Sequence, residues 1–239
     1  MENLSVIIQA RMGSKRLPGK SLKKISNKRI IDWVIKRIKK SRKIRKIILA
    51  TTKSKKDKIF EKIAKKNKIL IFRGKTDDVL DRFYKAAKFY NIDIIIRVCA
   101  DNPFIHFKQL DLLIKKFSSK KYDYICNHQN KLKSNYADGF GAEIFSFKIL
   151  KRLSDKAKQK LQREHITKYI WDNKKKFKIL SLKAPKKLAY PNFKFDVNTI
   201  SELNYLNEFA KNNNINLSSS AEDIIRFKLR EEKSKGNFF

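Results

Sequence analysis

The sequence predicts an α/β fold, a doubly wound and mostly parallel sheet with a mixed α+β insertion. Three observations carry this expectation. Apolar runs of strand length alternate with helical patterns through the first 130 residues. Those runs are almost unbroken in hydrophobicity, as in strands covered on both faces. After residue 120 the rhythm changes to short strands and turns, so the insertion is placed at about 120–185 of a single domain spanning 1–239.

The elements follow in order. Strands are expected at 4–9 (LSVIIQ), 44–50 (IRKIILA), 68–72 (KILIF) and 93–98 (within IDIIIRVCA). Helices are expected at 29–40, 56–66 and 78–90, where apolar residues recur every three or four positions. Trp33 lies on one of these apolar stripes and is assigned to the core. A helix over 104–117 precedes the strand-like YDYICN and ADGFGAEIFSF, with Gly139 and Gly141 marking a bend. Helices at 147–155 and 162–173, strands near 177–183 and 192–196, and helices at 199–212 and 220–230 complete the chain.

Composition narrows the function. The net charge of +36 invites a nucleic-acid reading, but most of the 59 cations are lysines spread over every expected helix. No zinc-finger spacing, stacked aromatic pattern or basic zipper accompanies them. A solvated lysine-rich surface that steers anionic small molecules is the better reading, with no specific nucleic acid as partner. No run of about 20 apolar residues is present for a membrane span. The N-terminal MENLSVIIQA lacks the order of a signal peptide, so a cytoplasmic protein is expected. Cys99 and Cys126 are read as buried apolar side chains in a reducing compartment. His106 and His128 are read as ordinary, partly exposed histidines.

The stretch QARMGSKRLPGK, residues 9–20, places two glycines, a proline and four cations directly after the first strand. A loop at the carboxyl end of such a strand lies where nucleotides bind in open α/β sheets. Gly13 and Gly19 allow the backbone to approach a phosphate. Arg11 and Arg16 offer forked donors, Lys15 and Lys20 act as point charges, and Pro18 stiffens the loop. The loop is not a P-loop, because five residues separate Gly13 from Gly19-Lys20-Ser21 where four are required. Asp101 directly follows the most hydrophobic strand, which aims its carboxylate at the same crevice. Asp101 also suits a helix N-cap, as do Asp77 and Asp196.

The loop IIQARMGSKRLPGK resembles the signature loop of bacterial cytidylyltransferases that activate acidic sugars. The likeness is to the spore-coat polysaccharide branch in particular, and more distantly to the acylneuraminate and 3-deoxy-manno-octulosonate cytidylyltransferases. Further matches follow in order over residues 3 to about 206: ATT at 50–52, FRGKTDDVLDRFYKAA at 72–87, IIRVCADNPFI at 95–105, DGFGAEIFS at 138–146, REHIT at 163–167 and the segment around Asp196. The chain departs from the family at Lys15, where a small or branched residue is usual. It departs again at Ala100, which replaces the glycine of Gly-Asp-x-Pro, and at Asn198, where several relatives carry an aspartate.

The resemblance implies a nucleotide-diphospho-sugar transferase, GT-A-like fold. It also implies Mg²⁺-dependent transfer of CMP from CTP to an acidic sugar, with release of pyrophosphate, in a homodimer. By resemblance Arg11, Lys20 and Asp101 are catalytic. Gln9, Ala10, Arg11, Gly13, Ser14, Arg16 and Lys20 contact the nucleotide, joined by Arg73, Gly74, Asp78, Arg82 and Asp101. Asp138, Glu143, Arg163 and His165 face the acceptor, with Arg163 and His165 suited to its carboxylate. Asp101 and Asp196 hold magnesium, and His165 is not a metal ligand. A phosphonate or polyol phosphate acceptor, a nucleotide-sugar-dependent glycosyltransferase and a basic nucleic-acid-binding protein are the alternatives to this reading.

Overall fold

The computed structural model describes residues 3–117, 121–127 and 132–236. The chain opens with β1 (Leu4–Gln9), a hairpin of β2 (Lys24–Ile25) and β3 (Lys28–Arg29), and α1 (Ile30–Ile38). It continues through β4 (Lys46–Thr52), α2 (Ile59–Lys66), β5 (Leu70–Gly74), α3 (Val79–Phe89), β6 (Ile94–Cys99) and α4 (Phe107–Phe117). The second half contains β7 (Tyr124–Cys126), β8 (Glu143–Ser146), α5 (Phe147–Lys156), α6 (Lys160–Glu164), α7 (Lys168–Asp172), β9 (Ile179–Ser181), α8 (Ile200–Asn212) and α9 (Ala221–Ser234).

Seven strands form one sheet in the order β5-β4-β1-β6-β8-β7-β9. Strands β5, β4, β1 and β6 pair in parallel, and β8 is antiparallel to both β6 and β7. The strand order reverses at β1, whose neighbours β4 and β6 follow it on opposite sides. Loops leaving β1 and β6 therefore open onto one crevice at the carboxyl edge of the sheet.

Alternation along the strands builds two cores. Val6 and Ile8 of β1, Ile47 and Leu49 of β4, and Ile94, Ile96 and Val98 of β6 face one layer. Ile7, Ile48, Ala50 and Ile95 face the other. Residues of α1, α2, α4, α8 and α9 cover the first face, and those of α3, α5 and α7 the second. Each buried aliphatic side chain contributes about 1.5–3 kcal/mol, which is why these strands read as continuous apolar runs. Trp33 packs in the first core and donates its indole N–H to Ile25 O at 2.9 Å. No described helix is long and apolar enough to cross a membrane.

The structure corrects several expectations. Residues 192–196 form no strand, only an isolated bridge between Asp138 and Lys194. Phe193 and Phe195 are apolar plugs of the first core rather than ladder residues. ADGFGAEIFSF is a strand only over β8. The helix expected at 162–173 is broken between α6 and α7, where His165 is extended (φ −112°, ψ 96°) and Ile166 is buried. His106 is buried rather than partly exposed, its backbone N–H donating to Phe140 O. Burial, aided by nearby Arg37, pushes its pKa down to about 4. His128 lies outside the described residues. Asp77 is exposed, and Asp78 instead caps α3 by accepting from Asp81 N at 2.9 Å.

Glycine is required at Gly139 but not at Gly13. Gly139 has φ +104°, and a Cβ there would lie 3.0 Å from the Phe195 backbone. Gly13 lacks a positive φ, and a Cβ would meet nothing within 4 Å. Gly139→Ala is expected to lose about 1–3 kcal/mol in urea unfolding, the usual range for imposed backbone strain. Gly13→Ala should stay within about 0.5 kcal/mol of the parent. Equal losses at both positions would contradict this assignment.

Candidate functional site

A cavity of about 410 Å³ sits beyond the carboxyl ends of β1 and β6. Gln9, Ala10, Arg11, Ser14, Lys15, Arg16 and Lys20 reach it from the loop after β1. Arg97, Cys99, Ala100 and Asp101 reach it from the end of β6, with Arg82, Glu164, His165 and Asn198 closing the sides. Six cationic side chains thus face two carboxylates, Asp101 and Glu164. Such a lining favours a polyanionic ligand.

The loop is pinned before any ligand arrives. Asp57, just before α2, is held by the Thr52 hydroxyl and accepts the Met12 backbone N–H at 2.7 Å. The Met12 carbonyl accepts from both Ser14 N (3.0 Å) and Gly19 N (2.9 Å). Gly19 takes φ +67°, a conformation that glycine adopts without strain. Lys20 Nζ then spans three segments, donating to Asp101 Oδ2 (2.5 Å), Val197 O (3.2 Å) and Asn198 Oδ1 (3.3 Å). Arg16 also donates to Asn198 Oδ1, at 2.7 Å. Arg11 reaches Thr76 O and Glu164 Oε1, both at 3.3 Å.

The two aspartates are free of capping duties. Helix α4 begins six residues past Asp101, and α8 is capped by Thr199 in a reciprocal box with Glu202. Asp196 sits behind the cavity lining and accepts from the Asn198 amide, while Val197 N donates to Asp101 O at 2.9 Å. Burial, then the charges of Asp138, Asp101 and Glu202, push the Asp196 carboxyl up to about 6. Among the described residues no three His, Cys, Asp or Glu side chains gather as a metal cluster, so a cation here would rest on the Asp101 and Asp196 carboxylates with oxygens of its ligand. Cys99, expected to be buried, is partly exposed at the cavity wall, and desolvation pushes its thiol up to about 12.

Several expected contact residues are engaged elsewhere. Arg73 binds Thr52 O (3.0 Å), Ser54 O (2.8 Å) and Glu61 (2.6 Å), and serves to fasten the chain after β4. Gly74 packs beneath Arg82, where a Cβ would lie 3.0 Å from Arg82 Cγ. Asp78 is held by Arg163, whose Nε and Nη2 grip it at 2.6–3.0 Å. None of these four lines the cavity, nor do Gly13 and Asp138. Arg82 does line it, and burial with the nearby Arg11 charge lowers its pKa to about 10.

A second cavity, of about 540 Å³, adjoins the first and shares Arg97 and His165 with it. Glu143 lies fully buried at its wall. Sequence reasoning missed Arg97, Asp57 and Glu164. An arginine inside the otherwise apolar IIIRVCA was a visible signal for Arg97. Asp57 hides in the lysine-rich KSKKDK and carries none.

Comparison with known proteins places the chain in a family. Residues 5–229 match the family described as cytidylyltransferase. A solved cytidylyltransferase from Leptospira borgpetersenii is 30% identical with a TM-score of 0.89, the match covering 100% of this chain and 99% of that one. The spore coat polysaccharide biosynthesis protein SpsF of Bacillus subtilis is 31% identical over 83% of this chain and 82% of its own. An uncharacterised protein of Methanocaldococcus jannaschii is 37% identical over 86% and 82%. The fold is that of the nucleotide-diphospho-sugar transferases.

The raised Asp196 pKa has a measurable consequence. Between pH 4 and 6 the unfolded carboxyl ionises while the folded one keeps its proton, so stability falls as pH rises through that window. In metal-free buffer at pH 8, Asp196→Asn should therefore be more stable than the parent by about 1–2 kcal/mol, allowing for partial exposure. The advantage should vanish at pH 4. A variant less stable at pH 8 would overturn the assignment.

Proposed function

The chain belongs to the cytidylyltransferase family, and on that premise we propose that it transfers CMP from CTP to a hydroxyl of an acidic sugar. The acceptor class is a nonulosonic or related keto-deoxy acid, and pyrophosphate is released. The observation that carries this reading is the meeting of Arg11, Arg16 and Lys20 with Asp101 in one cavity at the strand-order switch. The acidic acceptor is supported by the motif likeness to cytidylyltransferases of acidic sugars and by the cationic lining. The name of the Bacillus relative points to polysaccharide synthesis as the use of the product. The same reading takes the enzyme as a cytoplasmic homodimer, with residues 120–185 forming substrate and dimer contacts.

The chain's own groups divide the work. The acceptor oxygen forms a bond to the α-phosphorus as the bond from that phosphorus to the β-phosphate oxygen breaks. Arg11, Arg16, Lys15 and Lys20 hold the phosphates and offset the charge that grows on the leaving pyrophosphate. Asp57, through the Met12 backbone, holds the loop in place for this step. Asp101 and Asp196 would hold magnesium, and the crowding that raises Asp196 fits that use. When bound, the metal supplies charge neutralisation and lowers the pKa of a coordinated hydroxyl. The acceptor hydroxyl proton passes to solvent, and no side-chain base is assigned.

Pyrophosphate release measured with each of four nucleoside triphosphates against a panel of sugar acids tests the reading. Turnover is expected with CTP and a sugar acid. Activity with UTP equal to that with CTP, or turnover only with a polyol phosphate, would refute it. Arg11→Ala and Lys20→Ala should each weaken CTP binding by roughly 1–3 kcal/mol. Asp101→Asn and Asp196→Asn should fold yet lose most turnover at limiting magnesium and regain part of it in excess. Parent-like turnover of both at limiting magnesium would remove them from the metal site.

A further inference from the structure

The second cavity has chemistry that the nucleotide does not need. Arg97 of β6 and Glu143 of β8 are direct cross-strand partners at the end of their ladder. Arg97 Nη1 donates to Glu143 Oε2 at 2.7 Å. Tyr124 Oη and Thr167 Oγ1 both donate to Glu143 Oε1, at 2.8 and 3.1 Å. Glu143 is thereby fixed as a brace for the guanidinium. The opposite edge of Arg97 is unused: its Nε is buried and has no hydrogen-bond partner among the described residues. That edge is the one that binds a carboxylate side-on through two parallel hydrogen bonds.

Two further features point to a sugar acid. Trp171 lines the same cavity, and its buried indole Nε1–H has no partner among the described residues. Its ring offers an apolar face to a sugar and its N–H a donor to a hydroxyl. Lys174 stands 6.0 Å from the Trp171 ring centroid and also lines the cavity. Lys168 there is already paired with Asp172 at 2.7 Å. Arg163, by contrast, is spent on Asp78.

We propose that this cavity is the acceptor subsite and that Arg97, braced by Glu143, grips the carboxylate of the incoming sugar acid while Trp171 supports its ring. The inference rests on the cytidylyl-transfer reading and specifies its second substrate. Because the first cavity shares Arg97 and His165, an acceptor held here lies beside the nucleotide cavity.

The chain has two tryptophans, and Trp33 is buried in the first core, so Trp171 fluorescence reports on the cavity. The full-length protein is titrated with 3-deoxy-manno-octulosonate and N-acetylneuraminate, their methyl esters, mannose and inorganic phosphate. At least one acid should give a saturable change, at least tenfold weaker for its ester, absent with mannose and lost in Trp171→Phe. Arg97→Lys, which keeps the ion pair but not the fork, should weaken acid binding at least tenfold and raise the acceptor KM alike. The CTP KM should move less than threefold. The paired change Arg97→Met with Glu143→Gln leaves no buried charge unmatched and should give the same loss. Equal binding of acid and ester, no response to either acid, phosphate competing as well as the acid, or parent-like affinity in folded Arg97 variants would overturn the proposal. Failure of CTP turnover with acid binding intact would sink the transferase reading alone. Turnover of CTP with a sugar acid at parent-like acceptor KM in folded Arg97 variants would sink this one alone.

Discussion

The ammonium group of Lys20 is the point on which the site depends. It joins three stretches of chain at one atom: the loop after β1, the end of β6 and the segment entering α8. A half-buried charge-assisted contact at 2.5 Å is stronger than an exposed ion pair, and two further acceptors satisfy the remaining protons. Without it Asp101 would lose its ion-pair partner while still feeling the charge of Asp196. Lys20 thus acts as the counter-ion of Asp101, while Arg11 rests on Thr76 O and Glu164 and Arg16 on Asn198.

Arginine and lysine divide the positive charge unequally. The lysines are mostly solvated and give the surface its field. Several arginines, buried or half-buried, act as fasteners. Arg37 donates to Ile105 O, Asn216 O, Leu217 O and Ser219 O, and Arg73 clasps two carbonyls and a carboxylate. A planar fork satisfies several carbonyls at once, which an ammonium on a flexible stem does less well. For this reason a net charge of +36 says little about the site, and the placement of thirteen arginines says much.

The parallel half of the fold was legible because strands buried on both faces leave an unbroken apolar record. The loop at 9–20 was equally plain, since glycine, proline and cations seldom crowd together without an anion to bind. The second half was less readable. Phe193 and Phe195 look like a strand but act as core plugs, because burial of alternate aromatics needs no ladder. The break at His165 left no proline or glycine to mark it. The pairing of Arg163 with Asp78 was not legible, because the two lie 85 residues apart and nothing local announces it. Arg97 was passed over because hydrophobic neighbours set the reading of its strand, although a lone cation there was the very anomaly to pursue.

Strand β8 runs against both its neighbours, and the strand pairing between the parallel half and the outer strands passes through it. It behaves as a seam. Pairing across it is set by main-chain hydrogen bonds and a single braced cation, so material beyond the seam can diverge without shifting the register of β1, β4 or β6. A lineage can thus vary the walls that belong to the second cavity alone, such as Trp171 and Lys174, while the shared Arg97 and His165 stay in place. The architecture permits separate evolutionary histories for the two binding partners within one continuous sheet.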